Sequence, residues 1–233
     1  MQMSLFTIIG IAFCGICFQT YFIYIEHKEE YVQAVIFKGL ASLMFILLGW
    51  GGLQVAEPHS IAKLVFTGLV LGGVGDVLLN LRFVFKEAGQ KIFLVGILAF
   101  LLGHVIYLIA LVPLSTSLLW SVIAGALAAA GILVWIFKNI TAKKVFKIFG
   151  IFYIGAVVLM TAVAIGNVIT APHMTAYWVY AIGAVLFTAS DIILIFNTFG
   201  GKDPKFSMRI GNLSLYYAGQ LLIALSLQFL HLN

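Results

Sequence analysis

Eight apolar stretches, each of the roughly 20 residues a helix needs to cross a bilayer, follow one another along the chain. They fall near residues 4–24, 35–55, 61–81, 92–112, 117–137, 146–168, 175–196 and 210–231. No soluble interior could hide them. Of 233 residues 63% are hydrophobic and 9% charged, and mean hydropathy is +1.15. The sequence therefore reads as an all-α integral membrane protein, a bundle of about eight transmembrane helices in a single transmembrane domain, 1–233. Pro58, Pro113, Pro172 and Pro204 all fall between spans, and no linker or low-complexity tract interrupts the series. The amino terminus, MQMSLFTIIG, lacks the basic segment and small-residue cleavage site of a signal peptide, so the first span is expected to be kept.

Basic residues are unevenly placed. Lys28 and Lys38 flank the first connection, and Arg82, Lys86 and Lys91 lie in the third. Lys138, Lys143, Lys144 and Lys147 mark the fifth, and Lys202, Lys205 and Arg209 the seventh; only Lys63 lies on the opposite side. The positive-inside rule makes the odd-numbered connections cytoplasmic and puts both termini outside, as in a multi-pass protein of the plasma (inner) membrane. The net charge of +5 reports this topology, and no nucleic-acid partner is expected. Cys14 and Cys17 share a face of the first span, but two thiols cannot complete a structural zinc site. They read as inert, buried small apolar residues with no disulfide framework. His59, His173 and His231 are placed outside and His27 in a loop, so no histidine cluster reads as a metal site.

Against this background two carboxyl groups stand out. Asp76 sits in FTGLVLGGVGDVLLNL and Asp191 in AIGAVLFTASDIILIF. Placing a charge at the bilayer centre costs roughly 2.5–3.5 kcal/mol by insertion scales, so such residues are functional by default. The competing reading is helix packing or an ion pair, for instance with Lys38. Both aspartates fall on spans that run outside to inside, each about five residues from its cytoplasmic end, or roughly 8 Å deep. Lys38 falls at a similar level, with Tyr153, Tyr216, Tyr217 and Gln220 slightly deeper. Lys38 either holds a carboxylate ionised, meets a lipid phosphate, or snorkels to the surface. His104 and Tyr107, at i and i+3, share a face and reach the same layer from its outer side, or serve as structural hydrogen-bonding groups. Gly72, Gly73 and Gly75 would let a neighbouring helix approach closely at Asp76. Two carboxyls in one pocket would share a proton and so supply an acid and a base together. That reading requires them to face a common cavity at equal depth.

A weak internal repeat runs alongside. GDVLLNL resembles SDIILIF, and LLGHVIYLIAL resembles YAGQLLIALSL, as in a parallel duplication of two four-helix halves.

These residues carry a family resemblance over nearly the whole chain. Lys38 of the second span, GDVLL (Gly75 to Leu79), FLVGILAFLLGHVIY (Phe93 to Tyr107), GAVLFTASDIIL (Gly183 to Leu194) and YYAGQLLIA (Tyr216 to Ala224) occur in an order and spacing similar to the YhhN family of integral membrane proteins. The family lysine is usually followed by proline; here Gly39 follows Lys38, which bears on a helix kink and not on the lysine. The resemblance implies eight helices and hydrolysis of the alkenyl ether of lysoplasmalogens, with Asp76 and Asp191 catalytic. A lysophospholipid would be the substrate among membrane lipids, and Lys38, His104, Tyr107, Tyr153, Ser190, Tyr216, Tyr217 and Gln220 are the candidate substrate-binding residues. The chemistry suits two carboxyls, since protonation of a vinyl ether creates an oxocarbenium ion and glycosidases meet a related ion with a carboxyl pair. No metal or organic cofactor is expected. Two rival readings use the same residues. Gly73-Val74-Gly75-Asp76 matches the GxGD signature of intramembrane aspartyl proteases, but the partner is Ser190-Asp191 instead of Tyr-Asp and no Pro-Ala-Leu segment occurs. A proton-coupled transporter would need a polar route to both faces, and the outer half offers little beyond His104 and Tyr107.

Overall fold

Helical hydrogen bonding continues past the apolar part of nearly every span, because the backbone pattern is indifferent to side-chain polarity. In the computed structural model, which describes residues 3–201 and 205–231, eight long helices form. They are α1 (Leu5–His27), α2 (Tyr31–Leu53), α3 (His59–Val84), α4 (Gly89–Leu111), α5 (Leu118–Asn139), α6 (Lys144–Thr170), α7 (Thr175–Phe199) and α8 (Phe206–Ser226). No strand forms among the described residues. All eight helices are long and apolar enough to span a membrane. Lys202 and Pro204 lie outside the described residues.

Three boundaries, the start of α2 and both ends of α8, differ from the hydropathy reading by four or more residues. α2 begins at Tyr31, not 35, because its first turn is anchored by backbone bonds such as Ala34 N to Glu30 O at 2.9 Å. α8 begins at Phe206 through a polar turn (Arg209 N to Lys205 O, 3.0 Å) and gives way to a 3₁₀ turn at Leu227–Phe229. α1 starts on a side-chain cap, the Ser4 hydroxyl accepting from the Thr7 amide at 3.1 Å. Gly201, at φ 72°, follows the end of α7 in the left-handed region that glycine enters without steric cost.

The outward faces identify the solvent. Large apolar side chains stand exposed along the helices, Phe6 at 88% and Ile169 at 73% among them, with Phe13, Leu119, Trp120 and Leu127 similarly placed. Apolar surface on that scale has a stable home in lipid, not water. This is a multi-span all-α membrane protein. Cys14 and Cys17 lie on such an outward face of α1, so the expectation that they are buried is corrected: their apolar character suits the surface of a membrane helix.

The chain divides into two compact units. One comprises Met1–Ile106 with Ala224–Asn233, the other Tyr107–Ile223. In the first, α1 packs on α2 and α2 on α3. Gly73 of α3 faces α2 so closely that a methyl group there would lie 2.8 Å from Ile46 Cδ1. A methyl group on Gly75 would likewise lie 2.6 Å from the Phe100 ring of α4. α2 runs through Gly39 as one helix.

In the second unit α5 packs on α6 and α6 on α7. The Thr161 and Thr188 hydroxyls meet at 2.8 Å between α6 and α7. α7 and α8 touch backbone to backbone: a Cβ on Gly183 would lie 2.8 Å from the Gly219 carbonyl oxygen, and a Cβ on Gly219 the same distance from that of Gly183. Gly183→Ala or Gly219→Ala is therefore expected to cost about 1–3 kcal/mol. Thermal unfolding in detergent measures this, with Gly155→Ala as the control because nothing lies within 4 Å of its added methyl. Equal melting temperatures for all three variants would contradict the close contact.

Candidate active site

Polar side chains recur at helical spacing around each aspartate. On α2, Lys38 and Ser42 are one turn apart and share a face; on α3, so do Asp76 and Asn80. All four are buried. Lys38 Nζ lies 3.3 Å from Asp76 Oδ1, and the Ser42 hydroxyl is 2.5 Å from Asp76 Oδ2. Ser42 also stands 2.9 Å from the Lys38 carbonyl oxygen. A hydroxyl has one proton to give, and the carboxylate is the stronger acceptor at the shorter distance. From α1, Gln19 Oε1 accepts from Lys38 Nζ at 3.3 Å, and the Phe22 ring lies 5.2 Å beneath the ammonium. Asn80 Nδ2 donates to the Asp76 carbonyl oxygen at 2.9 Å. Three helices thus build one cluster around a buried ion pair. The lysine neither snorkels nor reaches the surface, being 2% exposed.

The surroundings of Asp191 differ in kind. Tyr153 of α6 donates its phenol to Asp191 Oδ2 at 2.8 Å. Among the described residues Asp191 makes no ion pair, although it is 3% exposed. Its neighbour Ser190 turns to α8, where Asn212 Nδ2 donates to both the Ser190 hydroxyl, at 2.8 Å, and its carbonyl, at 3.0 Å. Further along α8, Gln220 joins two tyrosines. Tyr107 donates to Gln220 Oε1 at 3.4 Å, and Gln220 Nε2 donates to the Tyr216 hydroxyl at 3.2 Å. The Tyr216 ring meets Phe187 edge-on at 5.1 Å.

The residues singled out from sequence sort accordingly. Lys38 joins Asp76 in the first unit; Tyr153 joins Asp191 in the second, where Tyr107, Tyr216 and Gln220 form a separate file. Ser190 is engaged by Asn212, and His104 and Tyr217 are buried on α4 and α8. Sequence reading missed Gln19, Ser42, Asn80 and Asn212. The signal for Ser42 and Asn80 was present, since each is a polar residue four positions after a charged one inside an apolar run. Each aspartate precedes the last residue of its helix by eight positions, Asp76 before Val84 and Asp191 before Phe199. The register expected from sequence is thus equal in both, three residues farther from the helix end. Among the described residues no group of three or more His, Cys, Asp or Glu gathers as a metal site.

Two kinds of similarity bear on this arrangement. A pig protein named lysoplasmalogenase TMEM86B (Sus scrofa) is 34% identical over 160 residues, 68% of this chain and 60% of its own length. A bovine protein named lysoplasmalogenase TMEM86A (Bos taurus) is 29% identical over 181 residues, 75% of this chain and 69% of its own. The chain thus spans about 60% of the pig relative it matches. No solved structure matches. The model of the YhhN family matches residues 33–227, which takes in Lys38, Asp76, Tyr153 and Asp191, and the chain belongs to that family.

Proposed function

We propose that this protein is a membrane hydrolase that cleaves the alkenyl ether bond of lysoplasmalogens, giving a fatty aldehyde and glycerophosphoethanolamine or glycerophosphocholine. One observation carries the reading: two buried aspartates have opposite electrostatic surroundings, one paired with an ammonium and the other, among the described residues, with only a phenol. A buried charge is tolerable only when paired, so Asp76 serves as the carboxylate and Asp191 as the proton carrier. The names of the two mammalian relatives supply the substrate class.

The reaction then closes on itself. Asp191 gives its proton to the β-carbon of the vinyl ether, the π electrons form the new C–H bond, and an oxocarbenium ion remains at the carbon bonded to oxygen. The Asp76 carboxylate stabilises that cation, where low dielectric strengthens the attraction, and takes a proton from the water that adds to it. In the hemiacetal, Asp76 returns a proton to the glycerol oxygen as the C–O bond breaks. Asp191 takes the proton of the hemiacetal hydroxyl as the aldehyde forms. One water is consumed and both aspartates regain their starting states. Tyr153 orients Asp191, and Ser42 and Lys38 fix Asp76. With the basic connections cytoplasmic, as the positive-inside rule has it, both carboxyls sit roughly 12 Å from the inner ends of their helices. A one-tailed lipid enters there from the cytoplasmic leaflet of the plasma (inner) membrane.

The test is incubation of the purified protein with alkenyl, alkyl and acyl lysolipids, followed by mass spectrometry. Fatty aldehyde is expected from the alkenyl lipids alone. Its absence with every alkenyl lysolipid, from protein that remains folded, would overturn the reading.

A further inference from the structure

Asn80 lies one turn beyond Asp76 on the same face of α3 and is 4% exposed. Its amide has a fixed orientation. The Asp76 carbonyl can only accept, so the nitrogen must face it, at 2.9 Å, and Oδ1 is turned away. That oxygen is buried and has no hydrogen-bond partner among the described residues. Buried acceptors are almost always satisfied, and one left unmade beside a reactive carboxylate is a place for a donor carried by a ligand.

We propose that Asn80 Oδ1 accepts a hydrogen bond from the free sn-2 hydroxyl of the lysolipid and so distinguishes lysolipids from lipids acylated at that position. The proposal rests on the lysolipid reading above and adds the residue that selects within it. Three considerations favour this donor. Asn80 is one helical turn, about 5–6 Å along the axis, from the residue that acts at the ether carbon. In the substrate the sn-2 oxygen is four bonds from that carbon, an extended reach of roughly 5 Å on the scale of backbone bond lengths. A headgroup ammonium lies several bonds farther, beyond the phosphate, and a phosphodiester has no proton to donate. An esterified sn-2 oxygen likewise has none, and it would leave Oδ1 buried beneath an acyl chain without a donor. Sites built around such a hydrogen bond reject analogues that lack the hydroxyl far better than apolar sites reject an extra methylene.

The experiment uses pairs of lysolipids that differ only at sn-2, hydroxyl against hydrogen. A saturated 1-O-alkyl pair is used for equilibrium binding and the alkenyl pair for hydrolysis. Wild-type protein is expected to bind the hydroxyl form about tenfold more tightly than the 2-deoxy form. Asn80→Ala should bind both alike, near the wild-type affinity for the 2-deoxy lipid, and Asn80→Leu repeats the test in a side chain of similar volume and strong helix propensity. Full discrimination retained in a folded Asn80 variant, or none in the wild type, overturns the proposal. The hydrolase reading is judged separately. Aldehyde release without sn-2 discrimination sinks only the role of Asn80. Binding discrimination that depends on Asn80, with no aldehyde from any lipid, supports this site and sinks the hydrolase.

Discussion

Asp191→Asn is expected to lower aldehyde release by a factor of about 10³ or more while leaving the protein folded and inserted. The amide has the size of the acid and offers the same acceptor to the Tyr153 phenol, which stands 2.8 Å from Oδ2. No cation in contact with Asp191 is stranded, because it makes no ion pair among the described residues. What is lost is a proton acidic enough to reach carbon. Tyr153→Phe keeps the ring and removes the donor, so it should reduce kcat by a smaller factor, about tenfold, with little change in KM. Groups that act in one reaction are strongly non-additive. The Asp76→Asn, Asp191→Asn double variant should therefore be no worse than the weaker single one. Turnover measured by aldehyde capture, with melting temperature recorded on the same samples, checks each point. Near-wild-type turnover in Asp191→Asn removes it from the mechanism, and multiplicative losses in the double variant assign the aspartates to separate events.

The spans were legible because a bilayer demands some twenty apolar residues in a row and little else in the chain satisfies that demand. Ends were harder to place. Polar turns such as Glu30 to Ala34 and Lys205 to Arg209 stay helical through their backbones, and hydropathy is blind to backbone bonds. Both aspartates were visible for the same reason as the spans, as charges where charge is costly. Lys38 was visible too, but its role was not. Whether a lysine near a span end pairs or snorkels depends on which helix faces it, and that Gly73 brings α3 against Ser42 and Ile46 is a fact of packing. Neutral partners were least legible. Gln19, Ser42, Asn80 and Asn212 cost little in a helix and appear as ordinary polar positions until Lys38, Asp76 and Ser190 are seen beside them. The tie between Tyr153 and Asp191 joins residues 38 positions apart on different helices, which no local pattern records.

Asp76→Asn should behave unlike its counterpart, losing stability as well as activity. Its carboxylate is the ion-pair partner of Lys38, whose ammonium is buried at 2% exposure beneath Gln19 and above Phe22. Removing one member of a buried pair leaves an uncompensated charge, typically a loss of about 3–5 kcal/mol, whereas replacing both members by groups of similar volume is often neutral. Asp76→Asn and Lys38→Met alone are thus each expected to unfold at lower temperature than wild type. Lys38→Met with Asp76→Asn together should regain most of the loss and still release no aldehyde, since the carboxylate is gone. Lys38→Met alone separates the lysine's two duties, because it keeps the carboxyl while withdrawing the charge that favours its ionised form. Its turnover should fall with Asp76 still in place. If the double variant melts no higher than either single one, Lys38 and Asp76 are not an energetic pair, and the assignment of Asp76 as the standing carboxylate loses its basis. If it melts near wild type and stays inactive, the ion pair supports the fold and the carboxylate the chemistry, which is the division of labour proposed for the cluster of α1, α2 and α3.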